Sequence, residues 1–351
     1  MDPFGKTIKL TLFGASHAEC VGFVMEGFPK GEPVDIEALR HELRRRSAAA
    51  HAFATPRHEA DEPIIEGGIA EGVTTGEPIV MRFMNRAHDP SEYRPVARPS
   101  HADLAAFIKS GGKEDISGGG KYSGRMTLPL TAAGALCRMA LCRRGVEIFG
   151  HVLEIGGARD ERFDAVSPQK PLGDGLFPLV EPERRGPMEA ALSKAREAGD
   201  TLSAEAEIAV TGLPAGLGEP LFYGVESCLS QILFMIPGLR AVEFGETNGR
   251  GSEVNDQFTE GGRTQTNRSG GINGGLTNGM PLVFRVRFRP VPSIKLRQTG
   301  FDLEKKEPVP IEIRGRHDTC ILPRGLAAAE AAAAVGFLIF SLRTGGFYEG
   351  A

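Results

Sequence analysis

The sequence predicts a mixed α and β fold made of two similar halves around one core. Three observations predict it. Segments that alternate apolar and polar residues are interleaved with segments whose apolar residues recur at helical spacing. Glycine is abundant, 46 of 351 residues, and gathers at a few segment ends. One strand–turn–helix pattern occurs twice. Gly27-Phe28-Pro29-Lys30-Gly31-Glu32-Pro33 follows one strand-like segment, and Gly212-Leu213-Pro214-Ala215-Gly216-Leu217-Gly218-Glu219-Pro220 follows another about half the chain later.

In chain order, residues 8–13 and 21–26 are strand-like. Asp35 can cap a helix running to Arg46, with Ile36, Leu39 and Leu43 on one face. The arginines 44–46 at its end either complement the helix dipole or offer planar forks to an anion. Residues 128–144 read as a helix that stops before Gly145. Residues 160–199 are more polar and form an excursion near the midpoint. Residues 205–210 and 282–289 alternate as strands do. In the second of these, Leu282, Phe284, Val286 and Phe288 share one face, and Arg285, Arg287 and Arg289 the other. That arginine face is either a solvated sheet surface or a wall turned to an anion. Residues 326–342 are Ala-rich and apolar, but Glu330 interrupts them. They also fall short of the roughly 20 residues of a bilayer span, so a buried helix and no membrane association are expected.

Composition narrows the function. Lysine and arginine total 41 against 45 acidic residues, a net charge of −4, with 41% hydrophobic residues. That balance belongs to a soluble globular protein and excludes a disordered tail, a collagen-like repeat and a coiled coil. Mild acidity argues against a nucleic-acid partner, but not against a local basic pocket. The five cysteines are odd in number and irregularly spaced. Neither a disulfide framework nor a thiolate metal site is expected, and a reducing cytoplasm is. Residues 1–6 lack the basic and apolar regions of a signal peptide, so none is expected.

No P-loop lysine motif, GxSxG elbow, HExxH or GxGxxG is present, so the chemistry must sit in other groupings. The glycine clusters at 117–121, 245–251, 260–263 and 269–275 either cradle an anion on backbone N–H groups or make tight turns. His17 and His101 each follow a serine, in Gly14-Ala15-Ser16-His17-Ala18 and Arg98-Pro99-Ser100-His101-Ala102-Asp103. Such imidazoles exchange protons near neutral pH, unless they are structural. Gly315-Arg316-His317-Asp318 joins a guanidinium, an imidazole and a carboxylate, for an anion and a proton or for a turn held by local ion pairs. Further basic residues are Arg57, Lys121 and Arg125.

Taken in order, these segments resemble the chorismate synthase family. The matching series is TLFGASHA (11–18), the EGFPKGEP turn, RRR (44–46), TPRHEAD (55–61), GVTTGEPI (72–79), RPSHAD (98–103), SGGGKYSGRMT (117–127), AVEFGE (241–246), SGGINGGLTNG (269–279), RPVPSI (289–294) and GRHDTC (315–320). The resemblance spans nearly the whole chain. It implies a single domain over residues 1–351 with an α+β fold, a β-α-β sandwich with internal pseudo-duplication, assembled as a homotetramer. The implied reaction is the 1,4-anti elimination of phosphate from 5-enolpyruvylshikimate 3-phosphate to give chorismate. It requires reduced FMN although no net redox change occurs. No added reductase domain is visible, so an external source of reduced flavin, rather than NADPH acting on this chain, is expected.

The resemblance also implies roles for residues. Arg45, Arg57, Arg125 and Arg316 line the substrate pocket, and His51 stands where a second substrate arginine is expected. Ser16 and Ser123 add hydrogen bonds. His101 protonates the leaving phosphate, His17 lies near the flavin N1–C2=O edge, and Asp318 keeps flavin N5 basic. The implied FMN contacts are Lys121, Tyr122, Ser123, Pro237, Gly238, Gly274, Arg289, Pro290, Val291, Pro292, Ser293 and Arg316. Departures from the family pattern fall at Ala18, His51, Ser100, Tyr122, Met126 and Pro237. They leave a second reading, a paralogue that binds flavin or a phosphorylated acid without turnover.

Overall fold

The computed structural model describes residues 7–55, 59–86, 95–113, 117–171, 175–313 and 317–343. Two antiparallel sheets hold a layer of helices between them. The first sheet contains β1 (Lys9–Gly14), β2 (Cys20–Glu26), β3 (Ile64–Gly67) and β6 (Ile79–Met84), in the order β1-β2-β6-β3. A small hairpin, β4 (Ile69–Ala70) and β5 (Val73–Thr74), precedes β6. Helix α1 (Ile36–Arg46) follows β2. Strand β7 (Val96–Ala97), α2 (Asp103–Ser110) and α3 (Thr127–Cys142) complete the first half.

The second sheet contains β8 (Glu147–Ile155), β9 (Ala158–Arg159), β10 (Ala204–Thr211), β11 (Leu239–Phe244) and β14 (Leu282–Phe288), in the order β9-β8-β10-β14-β11. Its helices are α4 (Arg185–Glu197), α5 (Val225–Leu233) and the short α6 (Gly251–Val254). Its hairpin is β12 (Ile272–Asn273) with β13 (Leu276–Thr277). Strand β15 (Gln298–Asp302) pairs with both β16 (Glu307–Ile311) and β7, and α7 (Leu322–Arg343) follows.

Leaving out β9, the two strand orders superpose: β1, β2, β6 and β3 answer to β8, β10, β14 and β11. Helices α1 and α3 answer to α5 and α7. The duplication reaches single hydrogen bonds. Thr74 Oγ1 donates to Pro29 O (2.6 Å) and accepts from Glu32 N (2.9 Å), while Gly31 N donates to Thr74 O. In the second half Thr277 Oγ1 donates to Pro214 O (2.7 Å) and accepts from Leu217 N (2.9 Å), while Gly216 N donates to Thr277 O. The glycines that open the two turns, Gly27 and Gly212, both have φ of +78°, and a Cβ on either would run into a facing carbonyl oxygen. The repeat also extends to residues 72–79 and 275–282, GVTTGEPI and GLTNGMPL.

The predicted elements form with small boundary shifts. Asp35 caps α1, its Oδ1 accepting from Glu37 N and Ala38 N. Helix α3 starts at Thr127 and ends at Cys142. One apolar core runs through both halves, with α3 and α7 buried along most of their lengths. Helix α7 is long and apolar enough to cross a membrane, but 94% of its most apolar window is buried inside the fold. The helices α3 and α7 meet at Gly134, where a Cβ would stand 2.4 Å from Ala331 Cβ. Glu330, the charge inside α7, accepts from Arg45 (2.6 Å) and Arg138 (3.0 Å).

The arginine face of β14 resolves into ion pairs. Arg285 is buried, with its Nε 3.3 Å from Glu243 Oε2 and Nη1 3.6 Å from Glu207 Oε1. Arg287 pairs with Glu205 at 3.1 Å. Residues of the midpoint excursion cover this side of the sheet: Phe163, Ala165 and Val180 pack on Phe149, Ala209 and Val283. The glycines at 245, 270 and 271 approach neighbouring backbone too closely for a Cβ, whereas a Cβ on Gly274 would meet open space.

Candidate active site

The loops at one end of the first sheet meet the start of α7. The β1–β2 turn carries Ser16 and His17, and the segment before α3 carries Gly118-Gly119-Gly120. All three glycines have positive φ, +58°, +88° and +52°. Ser16 is buried and its N–H donates to Gly120 O (3.1 Å). A Cβ on Gly118 would lie 2.5 Å from His17 Nε2, and one on Gly119 would lie 3.2 Å from His101 Cε1. Only bare backbone can pass between the two imidazoles here, so the glycine run brings His17 and His101 to opposite sides of one strip of main chain.

Beside this strip lies a cavity of about 110 Å³ lined by Arg46, Ser47, Ala48, Thr55, Glu59, Asp61, Ser123, Gly124, Arg125 and Arg324. Three guanidiniums converge on it. Arg125 is held by an ion pair to Asp61 and by its Nε donating to Asn85 Oδ1 (2.9 Å). The Asn85 amide donates in turn to Ala15 O and Ala18 O. One buried side chain therefore sets both Arg125 and the turn that carries His17. Arg46 donates to Thr127 Oγ1 (3.1 Å) and Gly124 O (3.0 Å), with Asp61 at 3.4 Å. Arg324 is bonded to both carboxylate oxygens of Asp318, and Asp318 also accepts from Thr55 N (3.2 Å). Burial, together with the Arg324 and Arg125 charges, pushes the Arg46 pKa down to about 9, although Asp61 and Asp318 oppose the shift.

The sequence expectations sort against this geometry. Ser16, His17, His101, Ser123, Arg125 and Asp318 converge. Arg45, expected to line the substrate pocket, does not line this cavity. Its guanidinium is bound to Glu330, Glu42 and Gly175 O between the helices. Helical rotation decides between neighbours: Ile36, Leu39, Leu43 and Arg46 share one face, and Arg46 is the residue that enters the site. His51 is also off this cavity. Its Nε2 meets Arg45 O (2.7 Å), and it lines a second cavity of about 80 Å³ with Phe53, Phe177, Arg185 and Cys320, which shares Arg324 with the first. Arg57 and Arg316 lie outside the described residues.

The expected cofactor contacts form a wall around His101. Arg289 N donates to Gly238 O, and its guanidinium donates to Ser100 O (3.0 Å). Arg98 Nη1 donates to Ser293 Oγ (3.3 Å). This links Pro237-Gly238 and the 289–293 segment to the His101 loop. Lys121 lies over the Tyr122 ring (5.5 Å), and Tyr122 packs with Phe107 and Phe301. Gly274 stands apart, in the β12–β13 turn, whose next residue Gly275 packs on Gly224 before α5. Sequence reasoning named Arg46 only within the arginine triplet 44–46, quoted Asp61 and Arg98 only as members of motifs, and did not name Asn85 or Arg324.

Comparison with known proteins agrees along the whole chain. The family model for chorismate synthase matches residues 8–342. The chorismate synthase of Dehalococcoides mccartyi is 38% identical, across 97% of this chain and 96% of its own. That of Thermococcus gammatolerans is 40% identical, across 93% and 94%. A solved chorismate synthase crystal structure shares the fold, with a TM-score of 0.74 at 22% identity across 98% of this chain and 94% of its own. With a full-length family match and relatives near 40% identity, this chain belongs to the chorismate synthase family.

Proposed function

We propose that the cavity framed by Arg46, Arg125 and Arg324 binds 5-enolpyruvylshikimate 3-phosphate. There, with reduced FMN, the chain eliminates phosphate to give chorismate. The observation that carries this placement is the convergence of three guanidiniums on one cavity. Burial, with the Arg324 and Arg125 charges, disfavours the charged form of Arg46, and a phosphate and two carboxylates would stabilise it through charge-assisted hydrogen bonds. Arg46 takes the part expected of Arg45, and Arg324 joins it.

The glycine run supports a flavin beside the substrate. A Cβ at Gly118 or Gly119 would fill the space next to His17 and His101, so bare backbone and two imidazoles are offered to a flat, anionic ring. When bound, reduced FMN would supply the transient electron density that eases C–O cleavage. His17 holds positive charge beside the flavin, and His101 gives a proton to the departing phosphate. Asp318 is engaged by Arg324 on both oxygens, so it first orients Arg324 against the substrate. Ser16 and Ser123 hold the glycine run and the Arg125 turn.

The departures leave this frame whole. Ala18 still offers its carbonyl to Asn85, Met126 packs against the core, and His51 lies on the second cavity. The reading as an inert paralogue thus gains no support. The family's homotetramer and a cytoplasmic location belong to the same proposal. Exposed Leu221, Phe222, Phe234 and Met235 provide apolar surface for assembly. The test is an anaerobic assay with substrate and chemically reduced FMN. Chorismate absorbance should rise with one phosphate released per chorismate. Binding of both ligands without phosphate release would replace this reading with the inert paralogue.

A further inference from the structure

We propose that Asp103 is a positioning residue that fixes the tautomer and orientation of His101, presenting Nε2 to the phosphate as it leaves. This rests on the role proposed for His101. Asp103 is the first residue of α2 and only 2% exposed. Its carboxylate accepts from His101 Nδ1 (2.6 Å), Arg98 Nε (2.7 Å), Arg98 Nη2 (2.9 Å) and Arg98 N (3.1 Å). Four donors fill the acceptor sites of a carboxylate. Burial opposes its ionisation, but the hydrogen bonds from Arg98 and His101 prevail and hold Asp103 well below the usual carboxylate range. The N-terminus of α2 favours the same negative charge.

An ionised Asp103 can only accept, so His101 Nδ1 must carry its proton toward it. Nε2 is then the ring nitrogen whose proton can change. That edge of the ring faces the glycine run: a Cβ on Gly119 would stand 3.2 Å from Cε1 and 3.4 Å from Nε2. Arg98 Nη2 lies 3.0 Å from Nδ1 and 3.2 Å from Nε2. An arginine only donates, so with Nδ1–H turned to Asp103 the ring atom it can serve is Nε2, once Nε2 has released its proton. The step balances. The Nε2–H proton passes from the imidazolium to a phosphate oxygen, and the ring is left neutral with Nδ1–H still on Asp103. The charged groups around the ring are Asp103 on α2, Arg98 after β7, Arg289 at the Ser100 carbonyl, and His17 across the glycine run.

The test combines NMR with kinetics. In wild-type protein labelled with 15N-histidine, the resonances lost in His101→Gln should report the Nδ1–H tautomer. In Asp103→Asn they should move toward the other tautomer or a mixture. Under reduced-flavin conditions Asp103→Asn should lower kcat by roughly 10²-fold or more, with little change in KM. The limb of the kcat profile for the protonated acid should move to lower pH, because a neighbouring negative charge is gone. Asp103→Glu should recover part of kcat. A wild-type spectrum showing the Nε2–H tautomer overturns the proposal, whether or not the variants fold. So does a folded Asp103→Asn that keeps both kcat and the position of that limb. Absence of turnover in the wild-type enzyme would instead strike the proposed function, and the tautomer would still decide the role of Asp103.

Discussion

The two halves share strand order, helix placement and a threonine-clipped turn, yet only one carries the site's imidazoles. In the first half, α1 ends in three arginines, the β1–β2 turn holds Ser16 and His17, and the approach to α3 holds Ser123 and Arg125. In the second half, α5 ends at Leu233 and is followed by Phe234 and Met235, and the link between β8 and β10 is the long excursion that covers the outer sheet face. The second half gives the cavity Arg324 at the start of α7, where Arg125 stands just before α3. Buried hydrogen bonds and helix contacts repeat because either half needs them to close. The charges are not repeated, because one pocket needs them once.

The largest effect should come from breaking the join between halves. Glu330→Ala leaves the buried Arg45 guanidinium with only Glu42 and Gly175 O, and removing one partner of a buried pair costs up to about 3–5 kcal/mol. Denaturant unfolding should show that loss, while Glu330→Leu with Arg45→Met should recover most of it. If the single variant is as stable as wild type, the halves are not joined there.

Next come the matching clips. Thr74→Val and Thr277→Val each leave a buried N–H and C=O unsatisfied, at about 1–3 kcal/mol apiece. Thermal melts should drop by similar amounts. A silent Thr277→Val beside a damaging Thr74→Val would break the equivalence.

Third is the pH response, which should belong to the first half alone. The folded pKa of Arg46, about 9, is well below the ordinary arginine value. The charged form is therefore penalised in the free protein. That cost is fully present below about pH 9 and fades as pH rises from there toward the ordinary arginine value. Substrate needs the charged form, so affinity should hold below pH 9 and weaken by up to about tenfold per unit above it. Calorimetry across that range checks the slope, and Arg46→Met should abolish it. A slope kept in Arg46→Met would assign the response to another group.

The smallest effect is expected at Ser100, which sits at φ +59°. Ser100→Gly relieves a left-handed conformation and should gain up to about 1 kcal/mol. A lower melting temperature would mean that the serine side chain contributes more than its backbone costs.

Much of this was legible in sequence. Asp35, the apolar stripe of α1 and Gly145 after α3 mark helix ends by local rules. The paired turns at 27–33 and 212–220 announced the duplication, and the matching 72–79 and 275–282 segments could have strengthened it. The glycine run at 117–121 was visible, but the similarly glycine-rich 269–275 made it ambiguous, since only three-dimensional packing says which glycines face a cavity. Choosing Arg46 over Arg45 was within reach, because Arg46 continues the stripe Ile36, Leu39, Leu43. Arg324, Asn85 and Asp61 were not. They lie far apart in sequence, and their roles come from pairings that folding alone creates.

The central claim is that the substrate phosphate and carboxylates meet Arg46, Arg125 and Arg324, while Arg45 holds the halves together. Anaerobic steady-state kinetics of Arg46→Met and Arg45→Met with reduced FMN test it most directly. Loss of a charge-assisted contact costs roughly 1.5–3 kcal/mol, so Arg46→Met should raise KM at least about tenfold. Folded Arg45→Met should lose stability and keep a near-normal KM. The reverse pattern, with KM unchanged in Arg46→Met and raised in Arg45→Met, would contradict the account.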